Sequence, residues 1–465
     1  MFLDIDKIDK LSIAAIDDEG RHITYGELHS FPSEFYAAIN KRTLIFILSE
    51  NNIGSLAGYV ASLSSRVVPL LLGATTDKEL LQNLLTTYQP EFIWMPKRLQ
   101  DDFGYEPVFE KYDCVLVKTG FDTAPMHEDL SMLLPTSGST GSPKLVRHSY
   151  TNISANAANV ATLFELTTND RAIAILPMYY TMGLSVISSH LHAGATLLLV
   201  KSNLTDGSFW KFIKEHKATS FTGVPYSYDI MKKLRFFRMD LPDLTLLSQG
   251  GGKLSQELFT EFAEFAKNTG KRFIATYGQT EGTARMAYLP ADMALEKVGS
   301  IGRAIPNGQL SIINADGIET TEGEATGEMV YRGPNVTMGY AITRDDLTKG
   351  DERNGYLSTG DIAKRDADGY YYIVGRLSRF LKLFGTRVSL DEAEQLIKAE
   401  FKLDCACTGN DEKMTIIITD ENAGEQIVQF VSHKTGLFHK AFEIVTVGEI
   451  KRNEAGKVIY QTIAQ

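Results

Sequence analysis

The sequence predicts an α/β protein with open, largely parallel sheets, and three observations lead there. Short apolar runs bounded by polar residues alternate with stretches of helical spacing. The alternation begins a second round after residue 170, which implies a second sheet. At 465 residues the chain exceeds what one hydrophobic core ordinarily organises, so two or more domains are expected.

Taken in order, residues 22–28 read as a short strand turning into a helix, with Thr24 as N-cap and Glu27 closing a capping box. The apolar run 44–48 is a strand and 53–63 a helix, while 67–72 and 92–95 are further strands around a helical stretch at 77–88. In such a sheet ligands gather at the carboxyl ends of the strands. Residues 154–164 are helical, 172–176 form a buried strand, 184–192 a helix and 195–200 another strand. A strand beginning at 246 ends in Gly250, Gly251 and Gly252 before a helix, and a strand at 273–276 runs into Tyr277-Gly278-Gln279-Thr280-Glu281. Past Arg376 a helix at 390–401 and strands near 414–419 and 442–447 describe a small α+β lid.

Composition excludes several classes. Hydrophobic residues at 43% and charged residues at 23% suit a globular protein. The net charge of −11 and the lack of a basic run disfavour broad nucleic-acid binding. Cys114, Cys405 and Cys407 form no metal pattern, and Cys405-Ala406-Cys407 reads as a strand fragment with small side chains, not a redox pair. No apolar run reaches the ~18 residues of a membrane span and no leader opens the chain, so a cytoplasmic protein without membrane insertion is expected.

The stretch Thr136-Ser137-Gly138-Ser139-Thr140-Gly141-Ser142-Pro143-Lys144 has the makings of a polyphosphate grip. Its glycines let N–H groups converge, its hydroxyls add donors, and Lys144 adds a mobile charge. Gly138 and Gly141 stand too close together for a Walker loop, and Ser139 falls one place early for a nucleophile elbow. Alone, the stretch is equally compatible with a surface linker. The three glycines at 250–252 would let a flat ligand lie on the backbone, and the pentad at 277–281 offers a ring for a base, a hydroxyl for phosphate and an acid for magnesium. Tyr179, Tyr180 and Met182 are candidates for a pocket wall, with core or turn residues as the competing reading.

The ordered set of TSGSTGSPK, YGQTE, GEMVYRGPNVTMGY, GYLSTGDIAKRDADGYYYIVGR and the closing KRNEAGK resembles the adenylate-forming superfamily of acyl-CoA synthetases, peptide-synthetase adenylation domains and luciferases. The resemblance implies a large adenylating domain over residues 1–376, made of two α/β sheet subdomains and a small β-rich one, then a mobile α+β lid over 377–465. It implies ATP, magnesium and a carboxylic acid as reactants, with coenzyme A as acyl acceptor and a carrier protein's phosphopantetheine as the alternative. A nucleotide-binding relative without ligase activity is the second alternative, and the joint presence of Lys144, Glu281, Asp361 and Lys457 speaks against it.

By the same resemblance Thr136, Ser137, Gly138, Ser139, Thr140, Gly141 and Lys144 grip the β- and γ-phosphates. Tyr277 stacks on adenine beside Gly250, Gly251 and Gly252, with Gly278 and Gln279 completing the turn. Thr280 touches the α-phosphate, and Glu281 holds magnesium. Asp361 accepts both ribose hydroxyls, Arg376 sits near ribose and phosphate, and Lys457 bridges carboxylate and α-phosphate. Gly385 lines the thiol tunnel after the lid turns. The chain departs from the family pattern at the hinge, where Ser378 stands, and at Leu145 and Tyr180, where glycine and histidine are frequent. Lacking an acid beside Tyr179, the pocket is expected to reject α-amino acids, and Arg285, four residues past Glu281, is a candidate to meet a polar or anionic substrate tail.

Overall fold

The structure, a computed structural model, describes residues 2–135, 144–377, 379–383, 386–410, 412–435, 437–452 and 458–459. The chain divides into two compact units, one of Met1–Gln309 with Arg332–Leu357 and one of Leu310–Tyr331 with Ser358–Gln465.

The first unit holds two large sheets. In the eight-stranded sheet Leu44–Ser49 pairs in parallel with Val68–Gly73 and Phe92–Pro96. Leu130–Pro135 joins in parallel, and Leu145–Ser149, Gly339–Ala341, Cys114–Lys118 and Pro107–Lys111 extend the sheet antiparallel on its two flanks. The apolar run at 44–48 is continuous because both faces of its strand are covered. Ile45 and Ile47 enter one core cluster, and Leu44, Phe46 and Leu48 the other. The nine-stranded sheet is parallel from Arg272–Tyr277 through Leu246–Gln249, Ser220–Gly223, Arg171–Ala174 and Thr196–Leu199 to Ile13–Asp17. It carries antiparallel edges at His22–Thr24 and at Ala287–Leu289 with Arg303–Ala304. The α/β expectation therefore holds, with parallel pairing confined to the sheet centres.

Helices Tyr25–Ile39, Ile53–Ser64, Tyr150–Phe164 and Thr181–His192 share one core with both sheets. The capping box at Thr24 and Glu27 forms as expected. Helix Ile53–Ser64 is buried from Ile53 to Leu63 without a polar face, which suits an element covered all round. Its glycines are required by contact: a Cβ on Gly58 would lie 2.4 Å from the Trp94 ring.

The second unit contains the five-stranded sheet that includes Tyr356–Arg365 paired with Tyr371–Arg376. Beyond it lie the two-stranded Phe380–Leu383 and Thr386–Ser389 pair and the three-stranded sheet Cys405–Asn410, Lys413–Ile418 and Phe442–Thr446. Helices Leu390–Phe401 and Gly424–Thr435 cover that sheet, so the α+β reading of this region stands. Cys405 and Cys407 are free, buried on one strand face, and their thiols are pushed up by burial, the first to about 12. They are core residues, as the sequence suggested.

Candidate active site

The parallel strands of the nine-stranded sheet end in register, with Gly223 opposite Gln249 and Gln249 opposite Ala275. Gly250, Gly251 and Gly252 consequently leave the sheet beside Thr276 and Tyr277. Thr276 Oγ1 donates to the Gln249 carbonyl at 3.0 Å, and Gln249 Nε2 to the Gly252 carbonyl at 2.7 Å, which pins the turn. Gly251 has φ +75°, and a Cβ on Gly250 would lie 2.7 Å from Thr276 Oγ1 and 2.9 Å from Met182 Sδ. Met182, on the first turn of helix Thr181–His192, thus lies against the glycine run. Tyr179 and Tyr180 precede it with ring centroids 4.8 Å apart, and Tyr179 crowds Gly73 at the end of a strand in the other sheet. The aromatic pair and Met182 therefore stand where strand ends from both sheets meet.

The pentad after Tyr277 turns sharply. A Cβ on Gly278 would fall 1.4 Å from the Ala284 carbonyl oxygen, so the glycine is demanded by the chain's own return. Thr283 and Ala284 follow with φ +49° and +76°, a left-handed pair that costs about 1–3 kcal/mol per residue unless the surroundings hold it. Asn335 does so. Fully buried, it donates through Nδ2 to the carbonyls of Gly282 at 2.7 Å and Arg285 at 3.1 Å, while Thr283 Oγ1 donates to the Asn335 carbonyl at 2.7 Å.

Glu281 is fixed at both ends. Its carbonyl accepts from Thr337 N and Thr337 Oγ1, each at 3.0 Å, and its Oε1 accepts from Tyr340 Oη at 2.8 Å. The Tyr340 ring has Lys144 Nζ 3.5 Å from its centroid and the Arg353 guanidinium carbon 4.6 Å away. Burial, then the charge of Glu281, pushes the Tyr340 phenol up to about 12, so it stays a donor at neutral pH. One ring therefore gathers a carboxylate and two cations, a composition suited to magnesium and a polyphosphate together. Magnesium commonly takes one or two protein carboxylates and leaves the rest of its shell to phosphate and water, and Glu281 fits that role.

Arg285 enters the interior as a fully buried side chain, 1% exposed. Its Nη1 donates to Ser185 Oγ at 2.7 Å, its guanidinium carbon is 5.1 Å from the Phe164 ring centroid, and burial pulls its pKa down to about 10. In the second unit Asp361 and Arg376 are register partners with Nε and Oδ1 2.8 Å apart; the acid is buried and the arginine exposed. Asp361 N donates to Thr359 Oγ1 at 3.1 Å, and Thr359 Oγ1 donates to the Met329 carbonyl at 2.6 Å. Thr136, Ser137, Gly138, Ser139, Thr140, Gly141, Ser378, Gly385 and Lys457 lie outside the described residues.

Four contributors received no role from the sequence: Asn335 and Tyr340, which stand inside the run GEMVYRGPNVTMGY, and Arg353 and Asn156. For Asn156 a signal existed. Asn152, Asn156 and Asn159 lie on one face of helix Tyr150–Phe164 and all are buried. Asn152 Nδ2 donates to the carbonyls of Pro334 and Val336, and Asn156 Nδ2 to that of Arg285 at 3.1 Å. A polar stripe on a buried helix face announces backbone to be satisfied.

A carboxylate anchored by a tyrosine whose ring carries two cations, with a glycine run leaving the neighbouring strand ends, suits an enzyme that handles a nucleoside polyphosphate. Residues 9–341 match the AMP-binding enzyme family, and the chain belongs to it. Among its relatives, indoleacetate–CoA ligase of Aromatoleum aromaticum is 29% identical over 375 residues, covering 76% of this chain and 71% of that protein. A 2-succinylbenzoate–CoA ligase of Bacillus cereus is 27% identical over 476 residues, covering 97% and 95%. The fold is that of o-succinylbenzoate CoA synthetase from Bacillus subtilis in complex with its acyl-adenylate intermediate, with TM-score 0.80 at 21% identity over 100% of this chain and 97% of that one.

Proposed function

We propose that the protein is an AMP-forming acid–thiol ligase in which the cluster of Glu281, Tyr340, Lys144 and Arg353 receives magnesium and the triphosphate of ATP. The observation that carries this reading is the Tyr340 hydroxyl on Glu281 at 2.8 Å, with both cations on the same ring. A carboxylate oxygen of the acid attacks the α-phosphorus, the bond to the bridging oxygen breaks, and pyrophosphate leaves with the electron pair. A thiol sulfur then attacks the acyl carbon, the bond to AMP breaks, and the thiol proton passes to solvent.

Each step brings anions together, so the chain's work is neutralisation and alignment. Lys144 and the hydroxyl-rich stretch before it hold the outer phosphates, and Thr280 meets the α-phosphate. Magnesium held at Glu281 would supply positive charge to compensate the phosphates. Tyr277 and the glycine run receive the adenine and Asp361 the ribose hydroxyls, with Arg376 paired to that acid. Lys457 acts in the first step and the segment around Gly385 in the second. Coenzyme A is the acceptor, in keeping with the named reactions of the relatives.

Pyrophosphate release with ATP, magnesium and a panel of carboxylic acids tests the first step. Thioester yield with free coenzyme A, against a panel of carrier proteins at low and high salt, tests the second. Turnover with coenzyme A that does not change with salt is expected; fast, salt-sensitive acylation of a carrier beside negligible turnover with coenzyme A would move the acceptor to phosphopantetheine. ATP binding without pyrophosphate release for any acid would overturn the ligase.

A further inference from the structure

We propose that Arg285 is the counter-charge for a second carboxylate on the substrate, so that the acid activated is a dicarboxylate with one group reacting and the other meeting this guanidinium. The inference rests on the ligase reading above and names its substrate class.

Arg285 is among the largest fully buried side chains of the protein. Its Nη1 is engaged with Ser185 Oγ, whereas Nε and Nη2 are buried with no hydrogen-bond partner among the described residues. No carboxylate of the described residues forms an ion pair with it. Nε and Nη2 make up one edge of the guanidinium, the side-on fork that matches the two oxygens of a carboxylate. The fork is also held in place. Ser185 Oγ donates to Asn156 Oδ1 at 2.9 Å, and Asn156 Nδ2 donates back to the Arg285 carbonyl at 3.1 Å, so a closed ring of contacts fixes the side chain.

A purely structural arginine looks different here. Arg147 is equally buried, but it faces Glu352 at 2.5 Å and donates to the carbonyls of Tyr340, Met338 and Gly350. Among the described residues Arg285 has a hydroxyl and the face of Phe164 and no anionic partner. Bracing Ser185 needs no charge, since Asn156 already bonds it. Leaving a guanidinium buried with the N–H donors of Nε and Nη2 unused is expensive unless something anionic completes it.

Its position suits a substrate tail. Ser185 lies one helical turn beyond Met182 on the same face of helix Thr181–His192, and Met182 rests on the glycine run at the strand ends. Met182 is half-buried, whereas Ser185 one turn on and the Arg285 bonded to it are buried.

The test is ATP–pyrophosphate exchange with aliphatic and aryl dicarboxylic acids, each beside its monomethyl ester, for the wild type, Arg285→Met and Arg285→Lys. The wild type is expected to favour the best diacid over its ester by about 100-fold in kcat/KM, mostly through KM. That ratio should fall to about one in Arg285→Met and lie between in Arg285→Lys. A wild type that activates esters as well as diacids, or an unchanged ratio in a folded Arg285→Met, overturns the proposal while leaving the ligase intact. Absence of exchange with every acid sinks the ligase reading instead. Thermal shift with ATP then decides the arginine separately: protection of the wild type by a diacid, lost in Arg285→Met, upholds the anion site, and no protection overturns it.

Discussion

Tyr340 Oη donates to Glu281 Oε1 at 2.8 Å although 59 residues separate them. A hydrogen bond to a carboxylate is worth roughly 1.5–3 kcal/mol, and this one also aims the acid that is to carry magnesium. Tyr340→Phe keeps the ring that Lys144 and Arg353 lie against and removes only the donor. We expect kcat/KM for ATP to fall about 10- to 100-fold, with a rightward shift in the magnesium dependence. An unaltered magnesium titration in the variant would show that Glu281 needs no such aiming.

How much of this was legible beforehand follows from where the information lies along the chain. The Thr24 and Glu27 capping box and the strand at 44–48 are written in adjacent residues, and both form. The glycines at 250–252 and the pentad were recognisable because a strand end followed by residues without bulk is a local pattern. Tyr340 closes the run GEMVYRGPNVTMGY with nothing local to mark its role, and Arg353 lies outside every motif run. Tyr340 reaches Glu281 from an edge strand that pairs it with Val146, a register only the folded sheet supplies, and Arg353 meets the Tyr340 ring from outside that strand. The antiparallel flanks were missed for the same reason, since alternation within one strand is silent about the direction of its neighbour.

Two histidines set an acid limit on stability. His148 and His190 are fully buried, and burial pushes them down to about 3 and about 4, aided at His148 by the charge of Arg353. In the unfolded chain each takes a proton near pH 6.5, whereas the native state refuses it until the lower value. Below pH 6.5 the unfolded state thus binds more protons and stability falls, by about 1.4 kcal/mol per pH unit for each histidine, or ~2 kcal/mol each by pH 5. Urea melts of the wild type and of His190→Gln at pH 7 and pH 5 check this. The variant should lose ~2 kcal/mol less over that interval, and equal losses would assign the acid limit to other groups.

Asp361 offers a cleaner probe of nucleotide recognition. Its Oδ1 is shared with Arg376 Nε at 2.8 Å, and a carboxylate has lone pairs left for two hydroxyls after one such pair. Asp361→Asn exchanges one acceptor for a donor and should raise KM for ATP about 10- to 100-fold. The sharper readout is the analogue series. The wild type should discriminate against 2′-deoxy- and 3′-deoxy-ATP, and Asp361→Ala should lose most of that preference. A variant that still prefers ATP over both analogues would remove Asp361 from the ribose.

Lys457 is the most exacting assignment, because the proposed role divides the two half-reactions. In the run Asn453-Glu454-Ala455-Gly456-Lys457 a glycine immediately precedes the lysine, giving the backbone freedom to present one cation to two anions at once. Carboxylate and α-phosphate repel as they approach, and a cation aimed at that transition state is worth ~3–4 kcal/mol, some hundreds-fold in rate. Nothing comparable arises when a thiol attacks the finished acyl-adenylate, whose carbonyl is neutral until it is attacked. Lys457→Ala should therefore cut pyrophosphate release by about two to three orders of magnitude, while thioester formation from preformed acyl-adenylate and coenzyme A stays within a few-fold of wild type. Lys457→Arg should recover little, because a planar fork cannot replace a compact ammonium between two closely spaced oxygens. If both half-reactions fall together, the lysine serves the architecture common to them, and the cation of the first step must be sought among Lys144, Arg353 and Arg376.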